Sequence, residues 1–375
     1  MSFSVAGKHA LITGGGSGIN LAFARLLLSR GCSVLIGDRA LRPEAEKLLA
    51  EYPHSPSSSP SSPPGRPSAL FHKTDVRSWP QLSSLFARGV GAFPRIDIIC
   101  PGAGLFEPAA SNFWLPPRTP TNPISPSRDP VDISGDGVNT YATLDVNLTH
   151  PIRLSQLGIS YWSKLGAPGC LVHVSSQAGQ AASIGTPIYY ATKHGLNGFV
   201  RALGSLRDEV GIRVGAVAPG AVQTPMWSED PQKAAMLEGP EKSVLIDPEE
   251  IAQGMLELCE NPEYGNGTIL EVNRNHQRVV PMFNADPPSG EGSVVPGFFK
   301  AEEDIVNRIR EGDEEESLSV EDDDDEDEDE SDSEDEEDDD DEDDDDDEDE
   351  DEDDELDSGS FIADASGGAL LKSRR

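Results

Sequence analysis

An apolar run, Ala10-Leu11-Ile12, passes directly into Thr13-Gly14-Gly15-Gly16-Ser17-Gly18-Ile19-Asn20 and then into an apolar stretch of helical period. Strand, glycine turn and helix in that order admit few folds. Glycines permit the tight turn and let backbone amides approach a pyrophosphate, which the positive end of a helix from Ile19 to Ser29 would hold. Gly14, Ser17, Gly18 and Ile19 are therefore candidate cofactor contacts. A second strand, Ser33 to Gly37, ends in Asp38, twenty-four residues after Gly14. A carboxylate there accepts hydrogen bonds from both hydroxyls of a ribose and repels a 2'-phosphate, which favours NAD over NADP. Arg39 beside it keeps NADP open, since a guanidinium turned inward would pair with that phosphate.

Further strands are expected at Leu70 to Thr74, Ile96 to Cys100, Cys170 to Ser175, Arg213 to Val217 and Thr268 to Val272, mostly as continuous apolar runs. Such runs suit strands buried on both faces. With helices between them, they predict an α/β chain: one Rossmann-type doubly wound sheet of seven parallel strands, with helices on both faces. That domain is expected over 1–300, and a disordered, highly acidic tail over 301–375. Charge supports the division, because the formal net charge is −40, and 40 acidic against 3 basic residues lie from Glu311 onward. The remaining 29 acidic and 26 basic residues leave the body at −3, so the acidity belongs to the tail. Consecutive carboxylates repel and bury nothing. Such a tail would serve solubility or bind a basic protein partner through salt-sensitive attraction, and like charge disfavours direct nucleic-acid binding.

Tyr189-Tyr190-Ala191-Thr192-Lys193 follows Ser176 by thirteen positions, with Ser176 at the end of a Val174-Ser175-Ser176 strand. Residues four apart on a helix share a face, so the ammonium would sit beside the phenol of Tyr189 and favour the phenolate. The serine hydroxyl would polarise a substrate oxygen. Alone, such a tyrosine and lysine more often mean a core aromatic beside a solvated amine; the glycine turn upstream changes the weight.

Together these motifs resemble the short-chain dehydrogenase/reductase family over roughly residues 5–275, nearest in character to its NAD-linked hydroxyprostaglandin dehydrogenase-like branch. The family pattern T-G-x-x-x-G-x-G falls on Thr13, Gly14 and Gly18, with Asn20 in place of the last glycine. The resemblance assigns adenine binding to Asp75 in Thr74-Asp75-Val76. It places the N-N-A-G turn on Pro101-Gly102-Ala103-Gly104, which keeps the small residues and loses both asparagines. Its four catalytic positions fall on Asn147, Ser176, Tyr189 and Lys193, and its nicotinamide turn on Pro219, Gly220, Val222 and Thr224. The implied chemistry is hydride transfer between a secondary alcohol and NAD, with Tyr189 as base, Ser176 steadying the oxyanion, Lys193 lowering the phenol pKa and bonding a ribose, and Asn147 holding a relay water. An NADPH-dependent ketoreductase and a cofactor-binding scaffold are the alternatives. The resemblance also implies a homodimer or homotetramer.

Two insertions interrupt the pattern: a Ser/Pro-rich loop at 53–67 and a Pro-rich loop at 105–139. The second lies on the substrate side of a doubly wound sheet, so Phe113 and Trp114 would either line an apolar pocket or staple the loop to the body. Met226 and Trp227, after the nicotinamide turn, occupy the family's mobile substrate lid. These four favour an apolar or aromatic medium-sized substrate. Cys32, Cys100, Cys170 and Cys259 stand singly and are expected to be buried and reduced, and the seven histidines lack metal-ligand spacing, so no metal is expected. With no leader and no apolar run of membrane-spanning length, the cytoplasm is the expected location, with the nucleus as the alternative.

Overall fold

The computed structural model describes residues 3–54, 66–129, 140–228, 245–282 and 298–311. Contacts divide the chain into a unit Met1–Leu318 and a second, Ser319–Arg375, which lies outside the described residues with the acidic tail. The first unit begins β1 (His9–Thr13), α1 (Gly18–Ser29), β2 (Ser33–Asp38), α2 (Pro43–Glu51), β3 (Ala69–Lys73), α3 (Trp79–Ala92) and β4 (Ile98–Pro101). A helix follows whose first turn, α4 (Ala142–Leu144), passes through a π-helical turn at Asp145–Thr149 into α5 (His150–Lys164). Then come β5 (Gly169–Val174), α6 (Pro187–Ala202), α7 (Leu206–Val210), β6 (Ile212–Pro219), α8 (Pro225–Ser228), α9 (Pro248–Glu260), β7 (Asn266–Asn273), β8 (His276–Val279) and α10 (Phe298–Glu311).

The strands form one sheet in the order β3-β2-β1-β4-β5-β6-β7-β8. All neighbours are parallel except β8, which pairs antiparallel with β7. Side chains alternate across the pleat, so one face gathers Ala10, Ile12, Val34, Ile36, Ile98 and Cys100 under α1 and α9. The other gathers Leu11, Leu35, Ile99, Leu171 and Val214 under α3, α5 and α6. Two-sided burial explains why these strands read as continuous apolar runs. The eighth strand was not expected. His276–Val279 is exposed throughout and has no buried apolar side to betray it; bonds from Arg278 to the carboxylate of Glu271, at 2.9 and 2.8 Å, tie it to the sheet.

Strand order reverses between β1 and β4, and the crevice at their C-terminal ends is where ligands bind in such sheets. The glycine turn after β1 and the Pro101 turn after β4 meet there. All four cysteines are buried and free, sharing the α1/α9 layer. Helix α10 crosses residue 300, where the sequence placed the end of the body, and it packs on α5 and α7.

Candidate active site

Gly14 adopts φ +71°, and a Cβ there would stand 2.7 Å from the Cα of Ala103. Gly18 adopts φ +56°, and its Cβ would stand 3.2 Å from the Cγ2 of Thr224. The glycine turn therefore touches both of the other loops nominated from sequence. Ser17 caps α1 without a side-chain bond, and the first turn of α1, which includes Ile19, carries no acidic residue. Those backbone amides are left for an anion. Asp38 accepts from Gly16 N at 2.9 Å and from Arg39 N at 2.7 Å, which fixes the carboxylate at the end of β2. Arg39 is exposed beside it. The glycine cradle, the uncapped helix start and the anchored carboxylate fit a nicotinamide dinucleotide.

Around the rest of that crevice, Asp75 is engaged by Arg77, with Nη2 to Oδ2 at 2.7 Å, and this bond holds its carboxyl below the usual range. Val76 is buried against Leu82, Val146 and Ala103. Gly102 and Ala103 hang from Thr13 Oγ1, at 3.0 and 3.5 Å, and Gly104 lies 4.0 Å, as a built Cβ, from Lys193 Nζ. Pro219 ends β6, Gly220 N donates to Val272 O at 3.2 Å, and buried Val222 forms a parallel bridge with Ile246.

Asn147 sits buried in the π-helical turn, a feature frequent at functional sites. Its carboxamide is held from both sides by Leu105, accepting from Leu105 N and donating to Leu105 O, each at 2.8 Å. Ser176 caps the 3-10 turn Gln177–Gly179, its hydroxyl accepting from Ala178 N at 3.1 Å. Lys193 is buried, donates to Val174 O at 2.9 Å and places Nζ 5.5 Å from the ring centre of Tyr189. Burial pulls its ammonium down to about 8. The Tyr189 phenol is pushed up to about 12 by burial, and the group that draws it back is the Ser176 hydroxyl. The Lys193 ammonium, bonded to the Val174 carbonyl, stands beside the ring while the Ser176 hydroxyl favours the charged form of the phenol.

Three residues outside the sequence-derived set belong to this region. Phe106 stands edge-on to Tyr189 at 4.8 Å between centroids and against Trp227 at 4.9 Å, forming an aromatic wall beside the phenol. Glu107, buried and at φ +25°, accepts from Tyr189 N at 2.9 Å and from Phe113 N at 3.0 Å. It ties the insertion to the start of α6. Nothing in the sequence sets it apart from Asp129, Asp132 and Asp136, the other carboxylates of that insertion. His150 links the turns: bonded to Val146 O at 3.0 Å and to Thr13 Oγ1 at 2.9 Å, it is held neutral by burial, at about 4. Phe113 and Trp114 pack edge to face, half exposed, and Trp114 Nε1 donates to Ile184 O at 2.7 Å, a contact that ties the insertion to the segment before α6. Met226 is 37 % exposed on α8. Among the described residues no group of His, Cys, Asp or Glu is placed to hold a metal ion.

The sequence model of the short chain dehydrogenase family matches residues 8–235. The chain belongs to that family. As a short-chain dehydrogenase it is an NAD(P)-dependent alcohol oxidoreductase. It is 29% identical over 283 residues to bovine (Bos taurus) 15-hydroxyprostaglandin dehydrogenase (NAD(+)), covering 72% of this chain and 91% of that protein. It is 28% identical over 283 residues to cis-4-hydroxycyclohexanecarboxylate dehydrogenase of Sinomonas cyclohexanicum, covering 74% of this chain and all of that one. The fold is similar to NADPH-dependent 3-quinuclidinone reductase from Rhodotorula rubra, with a TM-score of 0.55 and 22% identity over 72% of this chain and 92% of that one.

Proposed function

We propose that this short-chain dehydrogenase interconverts a secondary alcohol and its ketone with NAD, acting on an apolar or aromatic substrate of medium size. The observation that carries the reading is the Tyr189 phenol: the Ser176 hydroxyl favours its charged form, Lys193 Nζ lies 5.5 Å from its ring, and Phe106, backed by Trp227, stands edge-on to it. A hydroxyl seated between Ser176 and Tyr189 presents its carbon to the mouth of the glycine cradle. A nicotinamide bound there supplies the hydride acceptor or donor. Tyr189 takes the alcohol proton in one direction and returns it in the other, and the Ser176 hydroxyl donates to the substrate oxygen as charge develops. Lys193 keeps a positive charge near the phenolate. Asn147, clamped by Leu105, holds the π-turn in place behind Lys193. Phe106 and Trp227 exclude water and offer aromatic surface, which supports a ring-bearing or apolar substrate over a sugar.

Asp38 supports NAD. Both its oxygens are fixed by backbone amides, so the carboxylate cannot swing away from a 2'-phosphate. NADH and NADPH titrations, followed by energy transfer from tryptophan in wild type and Asp38→Ala, test this. NADH is expected to bind at least about tenfold tighter, with the substitution erasing the gap. Tighter binding of NADPH would move the reading to a ketoreductase, and no binding of either would leave the scaffold. A homodimer or homotetramer is part of the proposal.

A further inference from the structure

Two departures from the family pattern stand in contact. Position 20, the pattern's last glycine, is an asparagine on the first turn of α1; position 102, an asparagine in N-N-A-G, is a glycine after β4. Asn20 is 8 % exposed, and its Nδ2 donates to Gly102 O at 2.8 Å. A Cβ on Gly102 would stand 2.3 Å from Asn20 Oδ1 and 2.6 Å from its Cγ and Nδ2. No side chain of any kind fits at 102 while Asn20 holds this place. The backbone does not ask for glycine there, since Gly102 is not among the residues of positive φ. What requires it is the room taken by the Asn20 carboxamide.

The third glycine of such a turn normally serves close approach of helix and strand. Here the close approach has moved to the other partner. Gly102 is consequently gripped at both ends of its residue: its N–H donates to Thr13 Oγ1 at 3.0 Å and its carbonyl accepts from Asn20. Gly14 seals the same junction, because a Cβ there would meet Ala103 at 2.7 Å and Asn20 Nδ2 at 3.0 Å.

We propose that the two departures are one exchange. Asn20 is a positioning residue for the dinucleotide site: it supplies from α1 the side-chain amide that the family pattern places in the turn after β4, and so fixes Pro101–Gly104 against the glycine turn. The proposal rests on the reading of the crevice as a dinucleotide site. It is tested by four proteins, wild type, Asn20→Gly, Gly102→Asn and the double variant, each measured for NADH affinity and for thermal midpoint. Each single substitution is expected to weaken NADH binding by about tenfold or more, and the double to return to within about threefold of wild type, a coupling of neighbours and not a sum. If Gly102→Asn does not fold, a folded double variant that binds NADH better than Asn20→Gly carries the same conclusion. Additive losses, a double variant no better than Asn20→Gly, or an Asn20→Gly protein that binds as wild type does would overturn the exchange. A wild type that does not bind NADH overturns the cofactor reading instead, and coupling in the thermal midpoints then decides whether the exchange stands.

Discussion

The phenol of Tyr189 faces two opposing influences, burial that pushes it up to about 12 and the Ser176 hydroxyl that draws it down. Oxidation of an alcohol needs the phenolate, so its rate should climb as pH rises from neutral; reduction needs the phenol and should fall over the same direction. Ser176→Ala removes the hydroxyl that favours the charged form, so the rising limb of the oxidation profile should move to higher pH. A limb that stays in place, with only its height reduced, would show that Ser176 acts on the substrate oxygen alone. Tyr189→Phe should lower kcat by about a hundredfold to ten-thousandfold while NADH affinity is kept, because only the proton donor is removed.

At the scale of elements, the insertion after β4 is part of the site through one carboxylate. Glu107→Ala leaves Tyr189 N and Phe113 N without their acceptor, and because both bonds are part-buried the cost should be about 0.5–1.5 kcal/mol each. Phe106, its neighbour, should then lose its seat against Tyr189 and Trp227, so KM for an aromatic alcohol should rise more than kcat falls. An equal loss in kcat with KM unchanged would instead mean that the start of α6 had shifted. The parallel strands and the glycine turn were legible because apolar runs and glycines are local signals. Other parts of the site depend on partners distant in sequence. Trp114 finds Ile184 seventy residues away, and Asn147 finds Leu105 forty-two residues away. The π-turn at Asp145–Thr149 is likewise unmarked in a segment whose residues suit an ordinary helix. Lys193 shows the limit from the other side: its Nζ lies 5.5 Å from the Tyr189 ring, on the face the spacing suggested, but no spacing tells that its ammonium turns to Val174 O.

For the whole molecule, buried histidines set the acid limit before carboxylates do. His150 and His173 are held down at about 4 by burial, from an ordinary value near 6.5. Between those values the unfolded chain binds more protons than the folded one, so stability falls as pH drops from about 6.5 to 4. Asp97 is different: burial alone would raise it, but bonds from His9 and Arg95 and the charges of Arg95 and Lys8 keep it at about 2. Its contribution is present above about 4 and is lost only as pH falls through 2. Chemical denaturation across this range should show the larger decline in the upper window, flattened in His173→Gln. The charge distribution sets a second expectation. The residues from Glu311 onward carry nearly all the acidity, 40 acidic against 3 basic, while the body is close to neutral. The amphipathic helix α10, by contrast, belongs to the packed unit: Ile309 joins the α3/α5/α6 layer, Ser163 Oγ donates to Ile309 O, and Arg310 pairs with Glu209. Removal of 312–375 should therefore leave the thermal midpoint and turnover unchanged at moderate salt. Removal of 298–375 should lower the midpoint by several degrees, since each kcal/mol lost shifts a domain of this size by about 2–4 °C. Self-repulsion among like charges is screened by salt, so added salt should raise the midpoint of the full chain more than that of the protein ending at Glu311. Equal midpoints for the two truncations would show that α10 rests on the body without stabilising it.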